Sequence, residues 1–446
     1  MTQHMLKLIL LFSLYVFVIG NHDRWFLPPA FSKVLRLRGG LQEEEIIARP
    51  ETNKTEQPEV EHSKLLSVQN DETWRSQLPP RLQQRRGALH RFLLPTGHKR
   101  MVNSFVEEIV CEVYILGTAH VSKDSCEDVK LLMEHVKPDV LFVELCNQRI
   151  AILDDSVELE PHGDMTDNAN TTIAESGKDV SVSKLCKDVM EHNPGMSKAA
   201  ALSSALLTKI QGDYASKLGV TIGGEFKAAF RLANEQQKQF NAMVSALEQT
   251  PYGIEYEKML EQVRASNGCV TVLGDRPVRL TLVRAWEALS FFGKIKLIIG
   301  LIWSSLKQPN VEELKEWIES IINDPSNDIL TKSIEELSIH FPAIKKTIIE
   351  ERDVYMGCKI LQTAEIMGRG ALQDGATRKI VCIVGAGHCP GISSKLRNIT
   401  DAGVVLSARI EQEIKEVIET RSHRVDKDPN MKSLLSEVTS MESVEL

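Results

Sequence analysis

Four short apolar runs limit what this chain can fold into. They are "VYIL" from Val113, "VLFV" from Val140, "VTVL" from Val270 and "VCIV" from Val381. None alternates apolar with polar residues, as a half-solvated strand would, and all are rich in β-branched side chains. Such runs suit strands buried on both faces, the condition of a parallel sheet covered by helices. Between the first two lies a helical stripe, Val129, Leu132, Met133 and Val136, with Ser122 or Asp124 as its cap. Lys137-Pro138-Asp139 ends that helix before the second run, giving a βαβ unit whose crossover is expected to be right-handed. The middle of the chain, as in "SKAAALSSALLTKIQGDYASKLG", reads as helix. The expected fold is therefore α/β, with a largely parallel central sheet, helices on both faces and a mostly helical middle insertion.

Each run gives way on its carboxyl side to glycine or charge: Gly117-Thr118-Ala119-His120, Glu144, Gly274-Asp275-Arg276 and Gly385-Ala386-Gly387-His388. Ligands of open parallel sheets gather at that edge. With 26 Gly and 12 His in 446 residues, random order produces about 0.7 G-x-x-H matches. Two of the matches here are each welded to a strand-like run, "VYILGTAH" and "VCIVGAGH". A glycine three residues before the imidazole lets the backbone turn sharply and clears space beside it. If the four strands share one sheet, His120, Glu144, Asp275, Arg276 and His388 all fall on that carboxyl edge. Two neutral imidazoles and a carboxylate there can form a three-ligand set with room for water, the basis of metal-assisted hydrolysis. A plainer reading stands beside it. A histidine at a strand end is commonly a hydrogen-bonded packing residue, and Glu144 and Arg149 in "ELCNQR" pair as buried ions. "ERD", Glu351 to Asp353, equally suits the acid-rich start of a helix.

Composition narrows the classes. A net charge of −8 supplies no basic field for nucleic acid. Eight cysteines without a C-x-x-C pair match neither a disulfide scaffold nor a zinc ribbon. Residues 1–20 carry the apolar run "LILLFSLYVFVIG", which reads as a cleaved signal peptide or an N-terminal anchor. The basic, acid-poor stretch behind it, containing "LRLRGG", makes a two-part plastid address the leading expectation, with mitochondrial or endomembrane destinations as alternatives. Residues 21–106 are expected to be targeting segment and disordered linker, and residues 107–409 the folded domain, interrupted by a polar loop at 153–179. A charged helix and polar tail fill 410–446. "ALSFFGKIKLIIGLIWSSL" is interrupted by Lys294 and Lys296, so it reads as a buried or interfacial helix and not a span. "GGEF", Gly223 to Phe226, matches a cyclic-dinucleotide synthase signature, but it opens a helix pattern where that motif needs a hairpin turn.

"LGTAHVSKDSCEDVKLLMEHVKPDVLFVELCNQR" closely resembles the opening block of the TraB/PrgY family. "GGEFKAAFRLA", "LGDRPVRLTLVRAW", "ERDVYMGCKIL" and "IVGAGHCPGI" are similar to its later blocks, in the same order. The family is in turn similar to the Tiki group, proposed metal-dependent proteases with paired G-x-x-H motifs and a glutamate. The resemblance implies His120, His388 and Glu144 as metal ligands. Glu225, Arg149, Asp275, Arg276, Arg284, Glu351 and Arg352 would then be polar residues of a catalytic site. It implies a divalent metal cofactor (Mn, Co or Zn) and a peptide or protein substrate. Membrane association is expected through the N-terminal segment, since "SMESVEL" carries no apolar anchor of the kind some eukaryotic members have at that end. The competing expectation is a non-catalytic organelle adaptor or regulator using the same polar residues as architecture.

Overall fold

The computed structural model describes residues 73–102, 105–118, 123–147, 223–306, 341–374, 376–402 and 406–418, with isolated positions between 149 and 205 and at 338–339. His120, residues 1–20, the loop at 153–179 apart from Leu153, and the polar tail lie outside the described residues. In chain order the first elements are α1 (Thr73–Ser76), α2 (Pro80–Gln83), β1 (Leu89–Val102), β2 (Phe105–Thr118), α3 (Lys123–Val136) and β3 (Val140–Val143). Then come α4 (Gly224–Gln249), α5 (Ile254–Ala265), β4 (Val270–Leu273), α6 (Val278–Ala288), α7 (Phe291–Leu306) and α8 (Pro342–Lys345). A π-helical turn, Lys346–Glu350, runs directly into α9 (Glu351–Asp374). It is followed by β5 (Arg378–Gly385), a 3-10 turn (Ala386–His388), α10 (Cys389–Ala402) and α11 (Leu406–Ile418).

The described strands form one sheet in the order β1-β2-β5-β3-β4. All four expected runs are strands, and β2, β5, β3 and β4 are mutually parallel, while β1 pairs antiparallel with β2. The unit β2-α3-β3 forms as the apolar pattern requires, yet its two strands are not neighbours. β5 lies between them, with Thr118 opposite Gly385 and Val143 opposite Ile383. No local pattern encodes that insertion, because the pairing joins residues at opposite ends of the domain.

The strand residues divide with period two, as the pleat demands. Val113, Ile115, Val140, Phe142, Cys382 and Val384 face a core built with α9, α10 and α11. Tyr114, Leu116, Leu141, Val143, Val381 and Ile383 face the other core, built with α1 to α4. The stripe expected on α3 is buried in this second core. Gly223, at φ 77, starts α4, so "GGEF" opens a helix here.

Two stretches expected outside the domain are built into it. β1 arises from residues assigned to linker, together with α1 and α2; Leu82 of α2 and Leu78 between the two helices are buried. The basic residues of β1 hid its strand character, and they are neutralised from β2: Arg91 pairs with Glu112, and Arg100 with Glu107 at 2.9 Å. A register shift between Pro95 and Lys99, with Gly97 at φ 74, further breaks the alternation. At the other end α11, expected as an appended charged helix, buries Ile410, Ile414, Val417 and Ile418 against α9.

Candidate functional site

The carboxyl ends of β3, β4 and β5 meet the first turn of α9, and charged side chains from each element converge there. Glu144 follows β3. Its backbone N–H donates to Ile383 O at 3.1 Å, extending the ladder by one rung, and its Oε2 accepts from the Gly385 N–H at 2.6 Å. Asp275 follows β4 and donates its backbone N–H to Leu145 O at 3.0 Å. Gly274, just before it, has the Phe142 ring where a Cβ would stand, so only glycine lets β4 approach β3 this closely.

Arg352 is at the centre. Its Nε and Nη2 donate to Asp275 Oδ1 and Oδ2, each at 2.8 Å, the two-pronged geometry a guanidinium favours. Nη2 also donates to Glu144 Oε1 at 2.5 Å, and Nη1 lies 3.3 Å from Ile348 O and 3.1 Å from His388 Nε2. Asp275 takes a further ion pair from Arg149. Burial alone would push the Asp275 carboxyl up, but Arg352 and Arg149 outweigh it and hold it below the usual carboxylate range.

His388, fully buried in the 3-10 turn after β5, faces a carboxylate on each nitrogen. Nδ1 is bonded to Asp353 Oδ1, and Nε2 lies 3.2 Å from Glu144 Oε1. Nε2 cannot serve Glu144 and Arg352 in one protonation state. The charged imidazole donates to Glu144, and the neutral one accepts from Arg352. Burial works to lower the His388 pKa, yet Glu144 and Asp353 outweigh it and raise it to about 9, so the charged form and the bond to Glu144 prevail at neutral pH. Asp353 is itself pushed up by burial. Its carboxylate occupies the space a Cβ would need at Gly391, in the first turn of α10, which explains the glycine in "CPGI".

A second cluster adjoins the first. Arg276, completely buried, donates to Glu351 Oε2 at 2.9 Å, Thr281 Oγ1 at 3.0 Å, Thr347 O at 2.8 Å and Val417 O at 2.7 Å. Burial lowers its pKa to about 10. Arg284 grips the same Glu351 through two bonds of 2.7 and 2.8 Å. The π turn matters to both clusters: Arg276 is bonded to the carbonyl of Thr347 and Arg352 to that of Ile348, both within it. Arg276 thus links β4, the π turn, α9 and α11 through one side chain.

Of the residues singled out from sequence, the structure unites Glu144, Arg149, Asp275, Arg352 and His388, with Arg276, Arg284 and Glu351 alongside. Glu225 is placed separately, in the first turn of α4 beside Cys126 of α3. Asp353 was missed as a site residue because an acid in a first helical turn reads as dipole compensation. The glycine at 391 and the histidine at 388 were its only other signals. The glycine of the first G-x-x-H motif has a different purpose from turning the chain: a Cβ at Gly117 would lie 2.7 Å from Cys389 Sγ and 3.1 Å from Ala386 Cα. Gly117 lets the second motif's turn press against β2.

Two of the three expected metal donors therefore come together, while His120 lies outside the described residues. The 3.2 Å between His388 Nε2 and Glu144 Oε1 is a separation two ligands of one ion can have. The Asp353 carboxylate behind Nδ1 orients the ring as such sites require. Among the described residues, however, no group of three His, Cys, Asp or Glu side chains is placed to hold a metal ion. The cation touching both donors is the Arg352 guanidinium.

The profile of the TraB/PrgY/gumN family matches residues 106–408. The chain belongs to this family. TraB domain-containing proteins of Mus musculus and Homo sapiens are 32% and 31% identical to it over 300 and 302 residues, 66% of this chain in both cases. The chain spans about 65% of the length of these relatives. An uncharacterized protein of Methanocaldococcus jannaschii is 23% identical over 302 residues, covering 68% of this chain and 57% of its own length. No solved structure matches the chain. Four of the five blocks that carry the TraB resemblance supply side chains to the edge just described. The first supplies Glu144 and Arg149, the third Asp275, Arg276 and Arg284, the fourth Glu351, Arg352 and Asp353, and the fifth His388.

Proposed function

We propose that the chain is a hydrolase of peptide-like substrates, with His388 and Glu144 as ligands of a divalent metal cofactor. The observation that supports this reading is the setting of His388. One nitrogen is committed to Asp353 and the other faces Glu144, so a single buried imidazole is oriented by one carboxylate while a second lies beside its other nitrogen. Glu144 is prepared in the same way: Gly385 N–H holds Oε2, which leaves Oε1 as the end that faces His388 and Arg352. His388, with its Nε2 proton displaced, and Glu144, with His120 as third ligand, would hold the ion. When bound, such an ion acidifies water and polarises a carbonyl. In this arrangement Arg352 and a metal ion compete for the same two side chains.

One observation favours a second reading, that of a regulator or adaptor without catalysis. The four arginines 149, 276, 284 and 352 pair with Asp275, Glu351 and Glu144, while Asp353 pairs with His388, so each of these charges has a counter-charge within the cluster. A single comparison separates the two. Elemental analysis and turnover of a quenched fluorescent peptide library are measured on the full chain and on His388→Ala and Glu144→Gln. The hydrolase reading expects stoichiometric divalent metal and turnover in the wild type, both lost in each variant. Absence of metal and turnover from the wild type, with the variants losing only stability, sinks it and leaves the regulator.

A further inference from the structure

α7, Phe291–Leu306, is the most apolar helix described, and it turns part of that apolar surface outward. Phe291 is 72% exposed, Phe292 80% and Ile299 56%, with Ile295 and Ile302 also exposed. At about 100° per residue, these five side chains fall within an arc of about 100°, while the buried Leu297 points the opposite way. The stripe is continuous along the helix.

The charges of α7 flank this stripe. By the same rotation Lys296 falls about 40° beyond one border and Lys294 about 60° beyond the other. The ammonium of Lys294 lies 5.4 Å from the Trp286 ring centroid and that of Lys296 5.0 Å from the Phe341 centroid, so each lies against an aromatic ring. The sequence FFGKIKLIIGLIWSSL contains no aspartate or glutamate, although the whole chain has a net charge of −8. An outward apolar arc bordered by lysines and free of acids suits the boundary between acyl chains and anionic headgroups. The described length of α7 falls short of a membrane span. Its 16 residues extend about 24 Å, short of a hydrocarbon core of about 30 Å. None of the described helices is long and apolar enough to span.

We infer that α7 is a membrane-surface docking helix, which lays Phe291, Phe292, Ile295, Ile299 and Ile302 into an anionic lipid leaflet. Lys294 and Lys296 reach the headgroups at either side. α7 supplies none of the side chains of the charged cluster described above. The test uses the full chain with phosphatidylcholine vesicles, with or without roughly 30% phosphatidylserine. Flotation is read together with segment-resolved hydrogen exchange.

The inference expects binding to the anionic vesicles with slowed exchange across 291–302. The double variant Phe292→Glu/Ile299→Glu should float roughly tenfold less and lose that protection, and Lys294→Gln/Lys296→Gln should remove the preference for the anionic lipid. Both variants change only exposed or half-buried side chains, and unchanged circular dichroism confirms that they fold. If vesicles protect the N-terminal run and leave 291–302 unprotected, the helix is not the docking element. A light-scattering mass of two chains that the Glu variant reduces to one, without protection of 291–302 by lipid, would assign the face to self-association and overturn the proposal.

Discussion

Replacing Arg352 by methionine tests the central geometry most directly. Methionine keeps an unbranched stem of similar reach and removes the fork. The lost contacts are two bonds to Asp275, one to Glu144, one to the Ile348 carbonyl and the approach to His388. Asp275 retains Arg149, and Glu144 retains the Gly385 N–H and His388, so neither acid is stranded completely. Removing one partner of a buried ion pair costs about 3–5 kcal/mol. In a folded unit of this size that corresponds to a fall in melting temperature of roughly 6–20 °C.

The pH dependence has a definite sign. In the wild type Arg352 helps depress Asp275, a contribution present above the ordinary carboxylate range and lost as pH falls through the folded value. Arg352 also opposes the rise of His388, so its removal raises His388 further. A raised histidine stabilises the fold below its unfolded pKa, and that contribution is lost as pH rises through the folded value of about 9. The variant is therefore partly compensated at low pH and uncompensated at high pH. Both terms make the gap between wild type and Arg352→Met widen with increasing pH. Thermal and urea unfolding at about pH 5, 7.5 and 10 measure it, with Arg352→Lys as the variant that keeps charge and loses the fork. A loss below about 1 kcal/mol, or a gap that is flat or narrows with pH, refutes the reasoning.

Two further expectations follow from contacts at the same edge. Gly117→Ala should destabilise by about 1–3 kcal/mol through overpacking against Cys389 and Ala386. Cys389→Ala in the same chain should recover only part of this, because the Ala386 backbone remains; full recovery in a double-mutant cycle would contradict the placement of Ala386. Asp353→Asn should lower the His388 pKa from its value of about 9, because the direct carboxylate partner is lost. The stability contributed by charged His388 would then disappear at lower pH than in the wild type. An imidazole titration followed by NMR that does not move would contradict the Asp353–His388 pairing.

How much could be read from residues alone depended on the range over which each feature is encoded. "VYIL", "VLFV", "VTVL" and "VCIV" declared themselves because a strand buried on both faces must be apolar throughout. The stripe of α3 was equally local. The position of β5 was not, since its register partners lie far away in the chain and no spacing announces them. β1 was missed because its basic residues look solvated until Glu107 and Glu112 are seen opposite them. At the candidate site the charged residues were identified by type and by their position after strands. Their partners were not: no spacing announces that Glu144 joins Arg352 or that Arg149 joins Asp275. Choosing among several arginines and acids of similar reach requires the three-dimensional arrangement of strand ends.

The central place of β5 also has a consequence during synthesis. Cys111 and Arg378, which face each other across β2 and β5, are 267 positions apart. At about 5–20 residues per second, roughly 13–53 s separate their appearance from the ribosome. Until then β2 and β3 border an empty slot one strand wide, each with unpaired backbone groups and apolar side chains prepared for a neighbour not yet made. The nascent chain needs shielding through that interval, and a chain stopped before Arg378 has no strand with which to close the sheet. The same late strand delivers His388, so the cluster at the sheet edge cannot assemble before the fold itself is closed.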